Sequence, residues 1–343
     1  MSARRFLPGL IGTLLVAAVI VVLPLFLSDT HEYRFSFVAT FFIAVLGLQI
    51  LTGYAGLISL GHSGFMLVGA YVTTILSVDH GWNDLTTIPL AFVITGVFGF
   101  LFGLPALRLR GVYLALATFA IPIALIALTK KYSGFTGGGG GKPLTRVLTG
   151  HEAYVTTWPI AGVMFVLAWL LLYGKLGRAF RTIRESEIAA VSSGINLATT
   201  KTVAFGISAA FAGVAGSLYA IIIGFVNPDT FAVQLSLLLL IGVVVGGLGS
   251  LVGVLAGALF IEYVPLYSPD ILSWVENPFG SPLDPNRAGA SAAVYGLVLL
   301  LILFVAPSGA AGLLKTALKT FTRRAYTRPG TDSAAPGTDS AAS

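Results

Sequence analysis

The sequence predicts an all-α fold, a polytopic transmembrane helical bundle of about ten spans with both termini in the cytoplasm. Three observations carry this. Charged residues are 10% of the chain and hydrophobic ones 56%, where an ordinary soluble domain is roughly a quarter charged. Apolar runs of about 20 residues recur, each long enough to cross about 30 Å of hydrocarbon. Lys and Arg then collect on alternate loops once those runs are threaded back and forth.

Taken in order, the first run is FLPGLIGTLLVAAVIVVLPLFL (6–27), which follows Arg4 and Arg5. It exceeds the apolar core of a signal peptide and no small-residue cleavage site follows, so it reads as a retained span. Further spans fall near 36–53, 65–78, 88–107, 112–129, 158–176, 202–224, 233–247, 251–264 and 291–307. With the N-terminus inside, only Arg34, Lys130, Lys131, Lys142, Arg146 and Arg287 among the basic residues lie outside, while Asp29, Glu32, Asp79, Asp84, Glu152 and Asp229 fall there. An odd number of spans would strand one basic terminus on the wrong side.

Two stretches interrupt the pattern: GYAGLISLGHSGFMLVGAYV (53–72) and GGLGSLVGVLAGALF (246–260). They are too rich in glycine for firm helix and too apolar for solvated loops. Backbone freed from a helix inside a membrane must be covered by protein or line a wet cavity. Broken helices or re-entrant turns are therefore expected there, with Gly56, Ser59, Gly61, His62, Ser63, Gly247 and Ser250 as candidates lining a translocation path. Both stretches contain G-L-x-S-L, at 56–60 and 247–251, which suits either an internal repeat or a recurring need for small helix contacts. Residues 1–314 read as one transmembrane domain. Beyond it, 315–328 is basic with Leu, Phe and Tyr interspersed and is expected on the inner membrane surface. PGTDSAA, repeated at 329–335 and 336–342, is expected to be disordered.

Several chemistries are excluded or disfavoured. The chain has no cysteine, which removes disulfides, thiolate metal sites and cysteine nucleophiles. Its basic excess sits on cytoplasmic loops and does not call for nucleic acid. HEAYV at 151 lacks the second histidine of a zinc-protease helix. His62 could form a dyad with Ser59 or Ser63 only if sequence neighbours faced one another, which they do not on a helix; it reads as a packed, hydrogen-bonded residue. TGGGGGKP (136–143) resembles a phosphate-binding loop, but it begins with Thr136, follows Lys142 with Pro143 and has no strand–loop–helix context. It reads as a flexible external loop. Glu262 is the one acid inside a span, so proton coupling has little to work with. No catalytic residue, metal or cofactor is expected. The reading is a transport route without an engine; the rivals are a stand-alone carrier or channel, and an intramembrane enzyme using His62 or Ser63.

The engine needs a handle, and GRAFRTIRESEIAAVSSGIN (177–196) supplies one between the sixth and seventh spans. Wound as one helix, it places Phe180, Ile183, Ile188, Val191 and Ile195 along one side. Arg178, Arg181, Arg184, Glu185 and Glu187 cover much of the rest, and Arg181 and Glu185, four apart, can pair. Gly194 can end the helix, and Lys201 opens the next span. A short amphipathic helix of this kind docks into a groove on a partner or lies on the inner membrane surface.

The stretch from 177 to 220 strongly resembles the cytoplasmic loop and following span of LivM-type permeases in ABC importers for branched-chain amino acids. GYAGLISLGHSGFMLVGAYV, GFTGGGGG (134–141), and NPDTF through VVVGGLGSLVGVLAG (227–257) resemble that family in the same order. The glycine run departs from the family pattern, where a polar residue and an Asn or Asp interrupt it. The resemblance implies half of a heterodimeric channel in a prokaryotic plasma (inner) membrane. It also implies a LivH-type sister permease, two cytoplasmic ATPases and an extracytoplasmic solute-binding protein. It puts ATPase coupling, within the loop 177–200, on Arg178, Arg181, Glu185, Glu187, Ala190, Gly194 and Ile195. On this reading Ala190 and Gly194 give small contacts for an ATPase surface, and the arginines and glutamates set the docking geometry. Related permeases carry branched-chain amino acids, urea and short amides, or aromatic acids.

Overall fold

The computed structural model describes residues 28–106, 109 and 111–274, with a few further positions between 296 and 312. The expected span at 6–27, most of that at 291–307 and the 315–343 tail lie outside the described residues. The main helices are α1 (Asp29–Leu48), continued by a π-helical segment Gln49–Tyr54, α2 (His62–His80), α3 (Asp84–Ala106) and α4 (Val112–Lys131). There follow α5 (Gly150–Tyr173), α6 (Lys175–Glu185), α7 (Glu187–Ser192), α8 (Leu197–Ile223), α9 (Val233–Gly246) and α10 (Gly253–Trp274). The protein is an all-α membrane protein. Its described strands are a two-residue antiparallel ladder, β1 (Lys142–Pro143) with β2 (Phe225–Val226).

Among the described residues, five helices are long and apolar enough to cross a membrane: α1 with its π-helical extension, α3, α4, α5 and α8. They differ in burial. The α1 and α8 helices are apolar on every side and lie mostly inside the molecule, as expected of helices surrounded by others. The α3, α4 and α5 helices bury one side only and leave Val97, Leu101, Leu116, Val163 and Leu170 exposed, a surface suited to lipid.

Close approach at the centre depends on small residues. A Cβ placed on Gly69 of α2 would lie 2.1 Å from the Gly213 carbonyl oxygen of α8, and one on Gly216 would lie 1.9 Å from the Met66 carbonyl oxygen. On the other side, a Cβ on Gly99 of α3 would sit 2.2 Å from the Ala209 Cβ. Thr73 and Ser217 hydrogen-bond across the α2–α8 contact, and Thr87 of α3 joins them. Backbone contact plus buried hydroxyl bonds is how helices associate where water gives no hydrophobic drive.

Three helices begin several residues earlier than the apolar runs predict: α1 at 29 for 36, α5 at 150 for 158, and α8 at 197 for 202. Polar first turns are held by specific partners. His151 Nδ1 lies 2.9 Å from Glu32 Oε2, joining the starts of α5 and α1, and Asn196 caps α8 by accepting from the Thr199 N–H at 3.1 Å. The 136–143 stretch, expected to be a flexible loop, forms defined turns together with the residues just before it. Residues 133–143 contain a helical turn (Ser133–Thr136), a 3-10 turn (Gly138–Gly140) and β1. Lys142 Nζ donates to Asp79 at 2.6 Å and to the Phe135 carbonyl at 2.9 Å, which binds the lysine within the chain, away from any phosphate-loop role.

Candidate functional site

Both glycine-rich stretches break their helices. Helix α1 ends at Tyr54, residues 55–61 are non-helical, and α2 starts at His62. Likewise α9 ends at Gly246 and α10 starts at Gly253. The first glycine of each G-L-x-S-L has a positive φ, 72° at Gly56 and 101° at Gly247, a conformation costly to any residue with a Cβ. His62 approaches the Ala44 carbonyl at 3.1 Å. Ala44 lies ten residues before Tyr54, about 15 Å along a helix. The non-helical segment therefore runs back alongside α1 before α2 begins.

The freed backbone groups are satisfied by side chains, as burial demands. Thr52 Oγ1 donates to the Leu57 carbonyl at 3.0 Å, Thr118 Oγ1 accepts from the Leu60 N–H at 2.9 Å, and Ser59 Oγ accepts from the Gly61 N–H at 3.3 Å. Ser236 Oγ of α9 accepts from the Ser63 N–H at 2.9 Å and donates to Ser63 Oγ at 2.8 Å. Gln49, in the π-helical extension that leads into the first break, ties it to the second, its Nε2 donating to the Gly247 carbonyl at 2.9 Å and the Ser250 carbonyl at 3.1 Å.

The candidate path residues thus fall into two groups. Gly56, Gly247 and Ser250 meet at the end of the bundle that carries α6. Ser59, Gly61, His62 and Ser63 are buried among α1, α4 and α9, where they close the joint between helices and line no cavity among those described. His62 and Ser63 have separate partners, so no Ser–His dyad forms.

The loop between α5 and α8 is two helices, in place of the single helix its pattern predicts. Ser186 adopts an extended conformation, φ −161° and ψ 120°, and its hydroxyl caps α7 by accepting from the Ala189 N–H at 3.2 Å. A serine competes well for backbone donors at such a position. The break splits the apolar stripe. Phe180 and Ile183 of α6 turn inward and are buried, whereas Ile188 and Val191 of α7 stay 81% and 58% exposed. Gly194, at φ 77°, ends α7 as expected, and the Ile195 N–H returns to the Ala190 carbonyl at 2.9 Å. Ala190 is fully buried against its own chain, so it offers no surface to a partner.

The charges divide in the same way. Arg181 does not pair with Glu185; its Nε donates to the Gly177 carbonyl at 3.0 Å and its Nη2 to the Leu172 carbonyl of α5 at 2.9 Å. Glu187 Oε1 accepts from Lys201 Nζ at 2.6 Å, fastening α7 to α8. Arg178 and Glu185 are exposed and make no ion pair with another described residue. With Ile188, Val191 and Gly194 they form the outward surface of the loop. The pattern also left out Gln49, Gly249 and Lys201 as site residues, and it gave Arg184 no role. None has a local signal, because each acts through a partner distant in the chain.

At the opposite end of the bundle a cavity of about 510 Å³ is lined by Ser77, Trp82, Asp84, Arg146, His151 and Glu152, among others. It is open and mixed in charge, and it does not reach the helix breaks.

Fold and site together define a multi-pass membrane protein in which polar contacts join two helix breaks to a loop-borne helix pair. Residues 32–307 match the family described as the branched-chain amino acid transport system / permease component, and the chain belongs to that family. Over 252 residues it is 36% identical to the high-affinity branched-chain amino acid transport system permease protein LivM of Salmonella typhimurium, a match covering 64% of this chain and 59% of that protein. The chain therefore spans less than two thirds of that relative's length. It is 25% identical over 311 residues to the probable LivM permease protein of Methanocaldococcus jannaschii, covering 78% and 89% of the two chains. It is also 24% identical over 297 residues to the LivH permease protein of Escherichia coli, covering 80% and 92%. No solved structure matches.

Proposed function

We propose that this chain is a membrane subunit of an ATP-driven importer for branched-chain amino acids or related small solutes, forming half of the translocation path. The substrate class rests on the names of its relatives. The subunit arrangement rests on two of those names: LivM and LivH are both permease proteins of such systems, so a LivH-type sister is the natural second half. Two ATPases on the α6 side and a solute-binding protein on the other complete the machine. In this reading the α6 end faces the cytoplasm of a prokaryotic inner membrane. With α2, α9 and α10 counted as spans beside the five longer helices, those at 6–27 and 291–307 bring the total to about ten; both termini are cytoplasmic, residues 1–314 form the permease domain, and 315–343 form a basic segment and tail. The substrate path lies between the two permeases, lined partly by the segments 53–64 and 246–250.

One observation supports ATPase docking above all. Ile188 and Val191 expose an apolar edge on the same loop as the exposed charges of Arg178 and Glu185, next to the helix breaks. Such an edge fits a hydrophobic groove on a partner. Burying these side chains is worth about 1–3 kcal/mol each. Replacing both, Ile188→Ser with Val191→Ser, is expected to weaken retention of the ATPase subunits by roughly 30-fold or more, for a loss of about 2 kcal/mol. Co-purification of the assembled complex from detergent measures this, and uptake into vesicles should fall in parallel. Full retention and full uptake would reject the docking surface. Uptake by this chain alone, without ATPases, would reject the whole reading in favour of a stand-alone carrier.

A further inference from the structure

We propose that Arg184 is a positioning residue that carries movement of the α6–α7 pair to both helix breaks at once. The inference rests on the coupling reading above. Its basis is a three-sided contact. Arg184 Nη1 donates to the Gly53 carbonyl, in the last turn of the α1 extension. Its stem covers Gly56, where an added Cβ would lie 3.0 Å from Arg184 Cγ. Its guanidinium lies against Gly249 of the other break, where an added Cβ would sit 3.0 Å from Nη1. A single side chain from the loop therefore touches the segment before α2 and the segment before α10.

The chemistry suits the task. The carbonyl end of a helix carries partial negative charge, which a cation stabilises. Guanidinium is planar, permanently charged and presents several donors, so it can hold a carbonyl while lying flat against a second backbone. Glycines at Gly56 and Gly249 admit that approach, and Gly53 admits Gln49 and the Gly249 backbone. Gln49 supplies the complementary tie, from α1 directly to Gly247 and Ser250. The α1 extension is thus bound to the second break by Gln49, and both breaks are bound to α6 by Arg184. Arg181 does the same for α5, holding the Leu172 carbonyl. When a partner shifts α6, the geometry pulls on Gly53 and Gly249 without passing through the apolar core.

The test uses the natural absence of cysteine. Ile58→Cys and Leu248→Cys, both at exposed positions in the breaks, carry a pair of spin labels in the assembled complex with its ATPases. Their distance distribution is measured with and without a non-hydrolysable ATP analogue. With Arg184 present, nucleotide is expected to shift the distribution. With Arg184→Gln the shift should vanish while the ATPase subunits stay bound, and with Arg184→Lys it should fall to less than half. An arginine that merely stabilised the fold would change yield and leave the nucleotide response intact. A full shift in either variant, or no shift with Arg184 in place, overturns the proposal. Failure of the unsubstituted chain to retain ATPases overturns instead the coupling reading on which it rests.

Discussion

Lys201 is the residue at which the chemistry of this chain is least compatible with its surroundings. An ammonium group lies buried in the first turns of an apolar helix, and the Glu187 carboxylate at 2.6 Å answers it. Taking one partner away removes this counter-charge from the other, which costs about 3–5 kcal/mol in a fully buried pair. Glu187 is half-buried, so Lys201→Met is expected to cost about 2 kcal/mol, read as a lowered Tm of the detergent-solubilised protein. Adding Glu187→Gln should recover part of that loss, because both charges are then gone. A double variant as unstable as the sum of the singles would mean that the two residues act independently. Neither effect is readable from the two residues in isolation: fourteen positions apart in the chain, they become partners only because Ser186 starts a new helix and Gly194 turns the chain back toward α8.

Among the helices, α2 and α8 pack backbone against backbone. Gly69 and Gly213 bring two backbones together, and no side chain between them can rotate away. Gly69→Ala would gain about 1 kcal/mol of helix propensity and lose more, about 2–3 kcal/mol, because its methyl meets a carbonyl oxygen at 2.1 Å. Gly162 of α5 has no atom within 4 Å of an added Cβ, so Gly162→Ala gains the propensity alone. Thermal melting should separate the two, with a lowered Tm for the first and an unchanged or raised Tm for the second. Equal melting would mean that α2 can move away from α8 at little cost.

The helices themselves were legible in the chain because lipid imposes length and polarity on any span. Segments at 112–129 and 233–247 agree with α4 and α9 almost to the residue. Less legible were the starts of α1 and α5, where Glu32 and His151 make polar turns helical by pairing with each other. The coupling loop was half legible. Its apolar spacing identifies a helix, but spacing cannot reveal that Ser186 interrupts it and turns Ile188 away from Phe180. Both breaks were visible as glycine runs in apolar surroundings. That Gln49 and Arg184 join them was not, since those contacts span more than a hundred residues of chain.

At the scale of the whole molecule the two ends are chemically unlike, and this decides how the chain should sit in a membrane. One end carries Lys175, Arg178, Arg181, Arg184 and Lys201 on or beside a single loop, with the helix breaks next to them. At the other, bases are matched by acids: Lys142 by Asp79, Lys130 by Asp229, Arg34 by Glu262, and Arg146 by Glu152. An excess of Lys and Arg near short loops marks the side retained in the cytoplasm, and Arg4, Arg5, Arg108 and Arg110 are expected from the sequence on the α6 side as well. The proposed orientation follows, and the cysteine-free background makes it directly measurable. Gly139→Cys, in open space on the glycine run, should react with a membrane-impermeant maleimide added to intact cells or spheroplasts. Ile188→Cys, the more exposed of the two apolar residues on α7, should react only after the membrane is permeabilised. The reverse pattern would place the α6–α7 pair outside, beyond reach of any cytoplasmic ATPase. The proposed coupling would then fail, however well the loop resembled its relatives.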